Sequence, residues 1–202
     1  AEMASRRGAR TAMIGRIGSD EFGRQLQANL DINNVDRQAV SVDPSRGSGM
    51  SVAIEQPDGS YGAVIVSGAN LGLEPTACCR ALQAGGDCKV LILQNEIPPS
   101  VNGAMAAAAR AQGVHVILNA APARAVEAAL YDSVDTLVVN RIEAAMIAGL
   151  PVEDLAAAKA ALPLLGGGRR NVVITLGGDG LVVQPRDGAV HHLVRSTGGC
   201  GA

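Results

Sequence analysis

Apolar residues fall in two textures along this chain. Up to about residue 75, short apolar runs are interrupted by Gly, Ser and Arg. Beyond it, fully apolar runs of four or five residues alternate with Ala-rich stretches. Thr11–Gly15 predicts a first strand. Ser19–Leu30, with acids in its opening turn, predicts a helix, and a strand is expected near Ala39–Val42. Ser48–Glu55 alternates small or polar with apolar residues, Pro57-Asp58-Gly59 is a turn signal, and Tyr61–Val66 is a second β run, so this segment predicts a hairpin. Later strands are expected at Val90–Gln94, Val114–Leu118, Thr136–Val139 and Asn171–Thr175. Helices are expected at Pro99–Gln112, Arg124–Leu130, Arg141–Ala148 and Val152–Leu165, the last stopped by Gly166-Gly167-Gly168. Gly180–Val183 and Val190–Val194 read as antiparallel edge strands. Fully apolar strands alternating with helices predict an α/β fold whose mostly parallel sheet is covered on both faces.

Composition narrows the function. The 202 residues, 48% apolar and 18% charged, suffice for a packed core. A net charge of −2 argues against nucleic acid held by bulk electrostatics, and Phe22, Tyr61 and Tyr131 are too few aromatics to stack bases. No apolar run is long enough to predict a membrane span, and Ala1–Arg7 has no apolar stretch behind it of the kind a signal peptide carries. Cys78, Cys79, Cys88 and Cys200 lack the paired spacing of a zinc site and read as buried thiols in a reducing compartment, the cytoplasm. His115 lies within an apolar strand and reads as a core residue. His191 and His192 point to opposite faces of a strand, which argues against a shared metal.

In open parallel sheets, ligands bind beyond the carboxyl ends of the strands. Four strands here end in polar groups: Gln94-Asn95-Glu96, Asn119-Ala120-Ala121-Pro122, Asn140-Arg141-Ile142-Glu143 and Thr175-Leu176-Gly177-Gly178-Asp179-Gly180. Each has two readings. Glu96 is a solvated loop acid or an acceptor for a hydroxylated ligand. Asn119 is a turn former or part of the same rim. Asn140 and Glu143 form a helix capping box or lie beside a hydrated Mg²⁺. The 175–180 segment is a tight turn or a place where phosphates approach the backbone. There is no G-x-x-x-x-G-K-[ST] phosphate loop, no G-x-S-x-G elbow, and Gly15-Arg16-Ile17-Gly18 does not make a dinucleotide fingerprint.

Six segments in order carry a resemblance: Gly15–Gly23, Ser67–Asn70, Gln94–Pro98, Asn119–Ala123, Asn140–Glu143 and Thr175–Gly180. Together they resemble the PfkB carbohydrate kinases, the ribokinase-like group. The resemblance implies a three-layer α/β sandwich with a mostly parallel sheet and a small β lid at about 49–66, here incomplete, with residues 1–202 forming part of one kinase domain. It implies ATP-dependent phosphorylation of a sugar hydroxymethyl group, with ATP and Mg²⁺ as cofactors. It assigns Glu96 to the sugar, Asn140, Thr175, Gly177 and Gly180 to the nucleotide, and Glu143 to the metal. Homodimer contact through the lid is found in many relatives and is expected here, with neither nucleic acid nor membrane as partner.

The same resemblance brings departures. The family's sugar-gripping Gly-Gly-Lys-Gly-x-Asn segment is not in the sequence. After Gly198, where a general-base Asp is expected, the chain reads Gly199-Cys200-Gly201-Ala202. The chain is therefore expected to be truncated at both ends, poorly soluble or oligomeric through exposed sheet surface, and inactive as it stands. The alternatives are a non-catalytic ligand-binding or dimerising module of the same fold and an unrelated α/β nucleotide-binding enzyme.

Overall fold

The computed structural model describes residues 1–55 and 61–194. They divide into two compact units: Ala1–Cys88 with Glu96–Met105, and Lys89–Asn95 with Ala106–Ala202.

The first unit opens with a short helix that hydrophobic patterning did not anticipate, α1 (Glu2–Arg6). Strand β1 (Ala12–Gly18) leads into α2 (Glu21–Ile32) and then β2 (Asp36–Asp43), which pairs parallel with β1. The helix starts later than expected from Ser19, because Asp20 is its cap and accepts the Gly23 N–H at 2.8 Å. The same carboxylate accepts the Ser48 hydroxyl at 2.6 Å and the Ser48 N–H at 2.7 Å. These hydrogen bonds, those from Ser48 foremost, hold the Asp20 carboxyl down at about 2.

Strands β3 (Met50–Glu55) and β4 (Tyr61–Val66) form the expected antiparallel hairpin, in register from Met50 opposite Val66 to Glu55 opposite Tyr61. The expected turn residues Pro57-Asp58-Gly59 lie outside the described residues. A 3₁₀ turn (Gly68–Gly72) and α3 (Pro75–Ala84) follow. Hydrophobic patterning does not predict α3; its Cys78 and Leu82 are buried, and burial pushes the Cys78 thiol up.

The second unit is built on a six-stranded sheet. After β5 (Val90–Gln94) comes α4 (Pro99–Ala111), a helix that runs from the first unit into the second. Then follow β6 (His115–Asn119), α5 (Ala128–Tyr131), β7 (Thr136–Asn140), α6 (Arg141–Ala148), α7 (Leu155–Gly166), β8 (Asn171–Thr175), β9 (Leu181–Gln184) and β10 (His191–Leu193). The strand order is β10-β9-β8-β7-β6-β5; β5 to β8 are parallel, and β9 and β10 are antiparallel edge additions, as the sequence predicted.

Two helices differ from expectation. The helix expected at Arg124–Leu130 is only the single turn α5. The carbonyls of Ala120 and Pro122 are committed to the Asn95 side chain at 3.0 and 3.2 Å, and the chain stays irregular until Glu127. Helix α7 begins three residues after Val152, because the Asp154 side chain accepts the Ala157 N–H at 2.7 Å and fixes the start there.

Alternate positions of β6, β7 and β8 are fully buried: Val116 and Leu118, Leu137 and Val139, Val172 and Ile174. Helix α7 packs on β8 and β9 and buries its own Ala158, Ala161, Leu162 and Leu165, and a Cβ on its Gly166 would lie 3.4 Å from Val172. The other positions of these strands are half-buried, except the exposed last residues Asn119, Asn140 and Thr175. The cover expected on both faces is complete on one of them and partial on the other. His115, expected in the core, is also half-buried; its Nε2 lies 2.9 Å from Thr136 Oγ1, which supplies the polar partner an imidazole needs in an apolar strand. Among the described residues, no helix is long and apolar enough to cross a membrane.

Candidate active site

Residues Asn140 and Thr175 are register partners on adjacent parallel strands, and both stand at a carboxyl end. Each strand end then turns into a polar structure. Asn140 caps α6 in a reciprocal capping box. Its side-chain oxygen accepts the Glu143 N–H at 2.9 Å, while Glu143 Oε2 accepts the Asn140 N–H at 2.8 Å. Glu143 Oε1 also accepts from the Asn140 side-chain nitrogen at 2.8 Å. Glu143 as a residue is only 3% exposed, and its carboxylate is held by Asn140 through both oxygens. The structural reading of this pair is realised in full, and it leaves a second lone pair on each oxygen for another donor or a cation.

Beyond Thr175 the chain makes a 3₁₀ turn over Gly177–Asp179. The Leu176 N–H to Gly180 carbonyl bond at 2.8 Å closes it. Bonds from Asp179 N–H to Leu176 and from Gly180 N–H to Gly177 tighten it. The Gly177 and Gly178 amides stand outside those three bonds. The two positive-φ glycines differ in kind. At Gly180, φ is +87° and an added Cβ would lie 2.1 Å from the Leu193 carbonyl oxygen, so β10 packing alone demands glycine there. At Gly177, φ is +63° and a Cβ would meet nothing within 4 Å. Open space beside a backbone turn is what an approaching ligand needs.

The structure therefore brings Asn140, Glu143, Thr175, Gly177 and Gly180 together at the carboxyl ends of β7 and β8. Glu96 belongs to the other unit and follows directly on Asn95 in the chain. Asn95 is a residue whose part sequence reasoning had not resolved. It is 3% exposed, its backbone N–H donates to the Ala121 carbonyl at 2.8 Å, and its side chain ties β5 to the loop after β6. Its Oδ1 is buried with no hydrogen-bond partner. Its place in the Gln94–Pro98 segment is the one signal in the sequence that points to it. The segment after Gly198, where the resemblance places a general-base Asp, lies outside the described residues.

A cavity of about 570 Å³ opens at the other end of the sheet, beside Asp135 and Arg170, which precede β7 and β8. Its charges are set against one another, Arg169 with Asp132 at 3.8 Å and Arg186 with Asp187 at 3.4 Å. The glycine turn lies away from it, at the carboxyl ends.

A family model described as pfkB family carbohydrate kinase matches residues 1–195. This chain belongs to the pfkB family. Its relatives include ribokinase of Mus musculus, 34% identical over 182 residues, a match covering 89% of this chain and 56% of that protein. Deoxyribokinase of Salmonella typhi is 27% identical over 190 residues, covering 93% of this chain and 62% of that protein. Among solved structures, Arabidopsis thaliana ribokinase complexed with ribose and ATP matches with a TM-score of 0.81 at 25% identity, covering 96% of this chain and 64% of that one. The pfkB chain described here therefore spans less than two thirds of the length of these relatives. Its α/β fold with a mostly parallel central sheet is that of the ribokinase-like group.

Proposed function

We propose that the protein to which this chain belongs transfers the γ-phosphate of ATP to the hydroxymethyl group of a sugar. The observation that carries this reading is the pairing of two structures on neighbouring strands: the Asn140–Glu143 capping box and the Thr175–Gly180 turn. Family membership supplies the reaction class.

Phosphoryl transfer depends on positioning and on stabilising charge rather than on covalent chemistry by the protein. In this reading, the Gly177 and Gly178 amides, with room beside them, donate to the nucleotide's phosphates. Thr175, Gly180 and Asn140 shape the same place, and Glu96 accepts hydrogen bonds from sugar hydroxyls. The hairpin at about 49–66 acts as a lid over the sugar and as a contact between two copies of the chain. Residues 1–202 form part of one kinase domain working in the cytoplasm.

The donor set suits Mg²⁺ held through water. No group of three His, Cys, Asp or Glu that could hold a metal ion occurs among the described residues, and both Glu143 oxygens already accept from Asn140. Mg²⁺ keeps several waters and commonly takes one carboxylate plus substrate phosphates. Glu143 would hold it from behind that water shell, and the ion would neutralise charge on the transferring group.

A second reading is a ligand-binding or dimerising module of the same fold, which would bind nucleotide without turning it over. The test of the main reading is Glu143→Gln in the full-length protein, with ATP-dependent sugar phosphorylation followed against Mg²⁺ concentration. The expected result is a fall of about 10–100-fold with a raised Mg²⁺ requirement, the size usual for a group that orients a metal's shell. Full activity at unchanged Mg²⁺ demand would remove Glu143 from the site.

A further inference from the structure

Glycine-rich turns are costly to order, since glycine loses more freedom on folding than any other residue and has no side chain to pack. The Gly177–Asp179 turn is held from outside. Arg141, the first residue of α6, sends Nη2 to the Leu176 carbonyl at 3.0 Å and to the Asp179 carboxylate, while its Nη1 donates to the Glu153 carbonyl at 2.5 Å. His192 Nε2 also lies 3.0 Å from the Asp179 carbonyl. One guanidinium thus joins the start of α6, the connection between α6 and α7, and the turn after β8. Arginine's planar fork can serve these acceptors together, and a lysine ammonium on one flexible stem cannot match that geometry.

We propose that Arg141 is a positioning residue that presets the Thr175–Gly180 turn against the amino end of α6 for the phosphates of a nucleoside triphosphate. The proposal rests on the kinase reading above and adds a determinant of nucleotide affinity to it. Arg141 lies between Asn140 and Glu143, so losing its clasp frees the turn from the capping box while leaving the box's own hydrogen bonds intact. A rival role is that Arg141 binds a phosphate directly and that Asp179 holds it back until nucleotide arrives. The two roles predict opposite signs for Asp179→Asn. Weakening the clasp would loosen nucleotide binding, whereas releasing a restrained phosphate ligand would tighten it.

The experiment uses the full-length protein. ATP and ADP affinities are measured by equilibrium titration, KM values by sugar phosphorylation, and exchange of the 175–181 amides without nucleotide by mass spectrometry. Arg141→Ala should weaken ATP and ADP binding about tenfold, leave the sugar KM unchanged, and speed amide exchange in the turn. Arg141→Lys should restore part of the affinity, and Asp179→Asn should weaken binding by a smaller factor. Unchanged nucleotide affinity in Arg141→Ala, a matching rise in sugar KM, or tighter binding in Asp179→Asn would overturn the proposal. If the unaltered protein bound no nucleotide, the kinase reading would fall and this proposal with it. If it bound ATP and turn exchange in Arg141→Ala stayed at the unaltered rate, the proposal alone would fall.

Discussion

The β6–β8 strands and the β3–β4 hairpin are made of the same residue types and end in opposite environments. Leu137, Val172 and Ile174 are wholly buried. Val64 and Ile65 are 53% and 43% exposed, although successive strand residues point to opposite faces. Both faces of the hairpin are therefore open at this point. A two-stranded ribbon has no third layer to close either side and is marginal by itself. Apolar composition thus records what a segment is able to bury, and topology decides whether it is buried.

The largest expected effect tests this contrast directly. Leu137→Ala removes a fully buried side chain and should cost about 2–5 kcal/mol. Ile65→Ala should cost less than about 1 kcal/mol. Urea unfolding of the full-length protein measures both. A comparable loss for Ile65→Ala would mean that the hairpin is covered in solution, and the contrast between the two regions would break down.

A second pair sharpens the comparison within the sheet itself. Gly180→Ala forces a Cβ against the Leu193 carbonyl at a φ of +87° and should cost about 2–3 kcal/mol, with β9–β10 pairing lost first. Gly177→Ala sits in open space at +63° and should cost about 1 kcal/mol. Thermal unfolding ranks the two. Equal losses would show that left-handed geometry, and not the approach of β10, sets the demand for glycine in this turn.

What the sequence made legible follows the same line. Strands from Val90 to Thr175 were readable because a parallel sheet under helices needs continuous apolar runs. The Asn140-x-x-Glu143 spacing named its own capping box. Helix α6 was found to the residue, since Asn140 starts it and Gly149 ends it in the left-handed conformation. Helix α3 was missed because Pro75–Ala84 holds two cysteines and few long apolar residues, so its buried stripe is faint. The starts of α2 and α7 were misplaced because an acidic cap sets them, Asp20 in one and Asp154 in the other. The role of Arg141 is not legible in its motif: its partners Glu153, Leu176 and Asp179 lie 12 to 38 residues away, and no local pattern encodes such a meeting.

The smallest expected effect concerns the base of the hairpin, where two residues before Met50 the chain is fastened by Ser48 to Asp20. The Asp20 carboxyl sits at about 2 in the folded protein against an ordinary 3.8, with the Ser48 and Gly23 donors as the cause. A depressed carboxyl adds stability that is complete above the unfolded value and is lost as pH falls through the folded one. The window for Asp20 is therefore between about pH 4 and pH 2. Asp43, which the Ser45 donors and Arg16 also hold at about 2, titrates across the same window and remains in any Asp20 variant. Asp20→Asn should therefore leave a reduced slope of stability against pH. The variant should be less stable than the original at pH 6, and the gap should narrow steadily from pH 4 downward. Unfolding free energies measured from pH 6 to pH 2 provide the test. A gap that stayed constant across that range would mean that the Asp20 charge contributes nothing to the fastening, and that the hairpin base is held by shape alone.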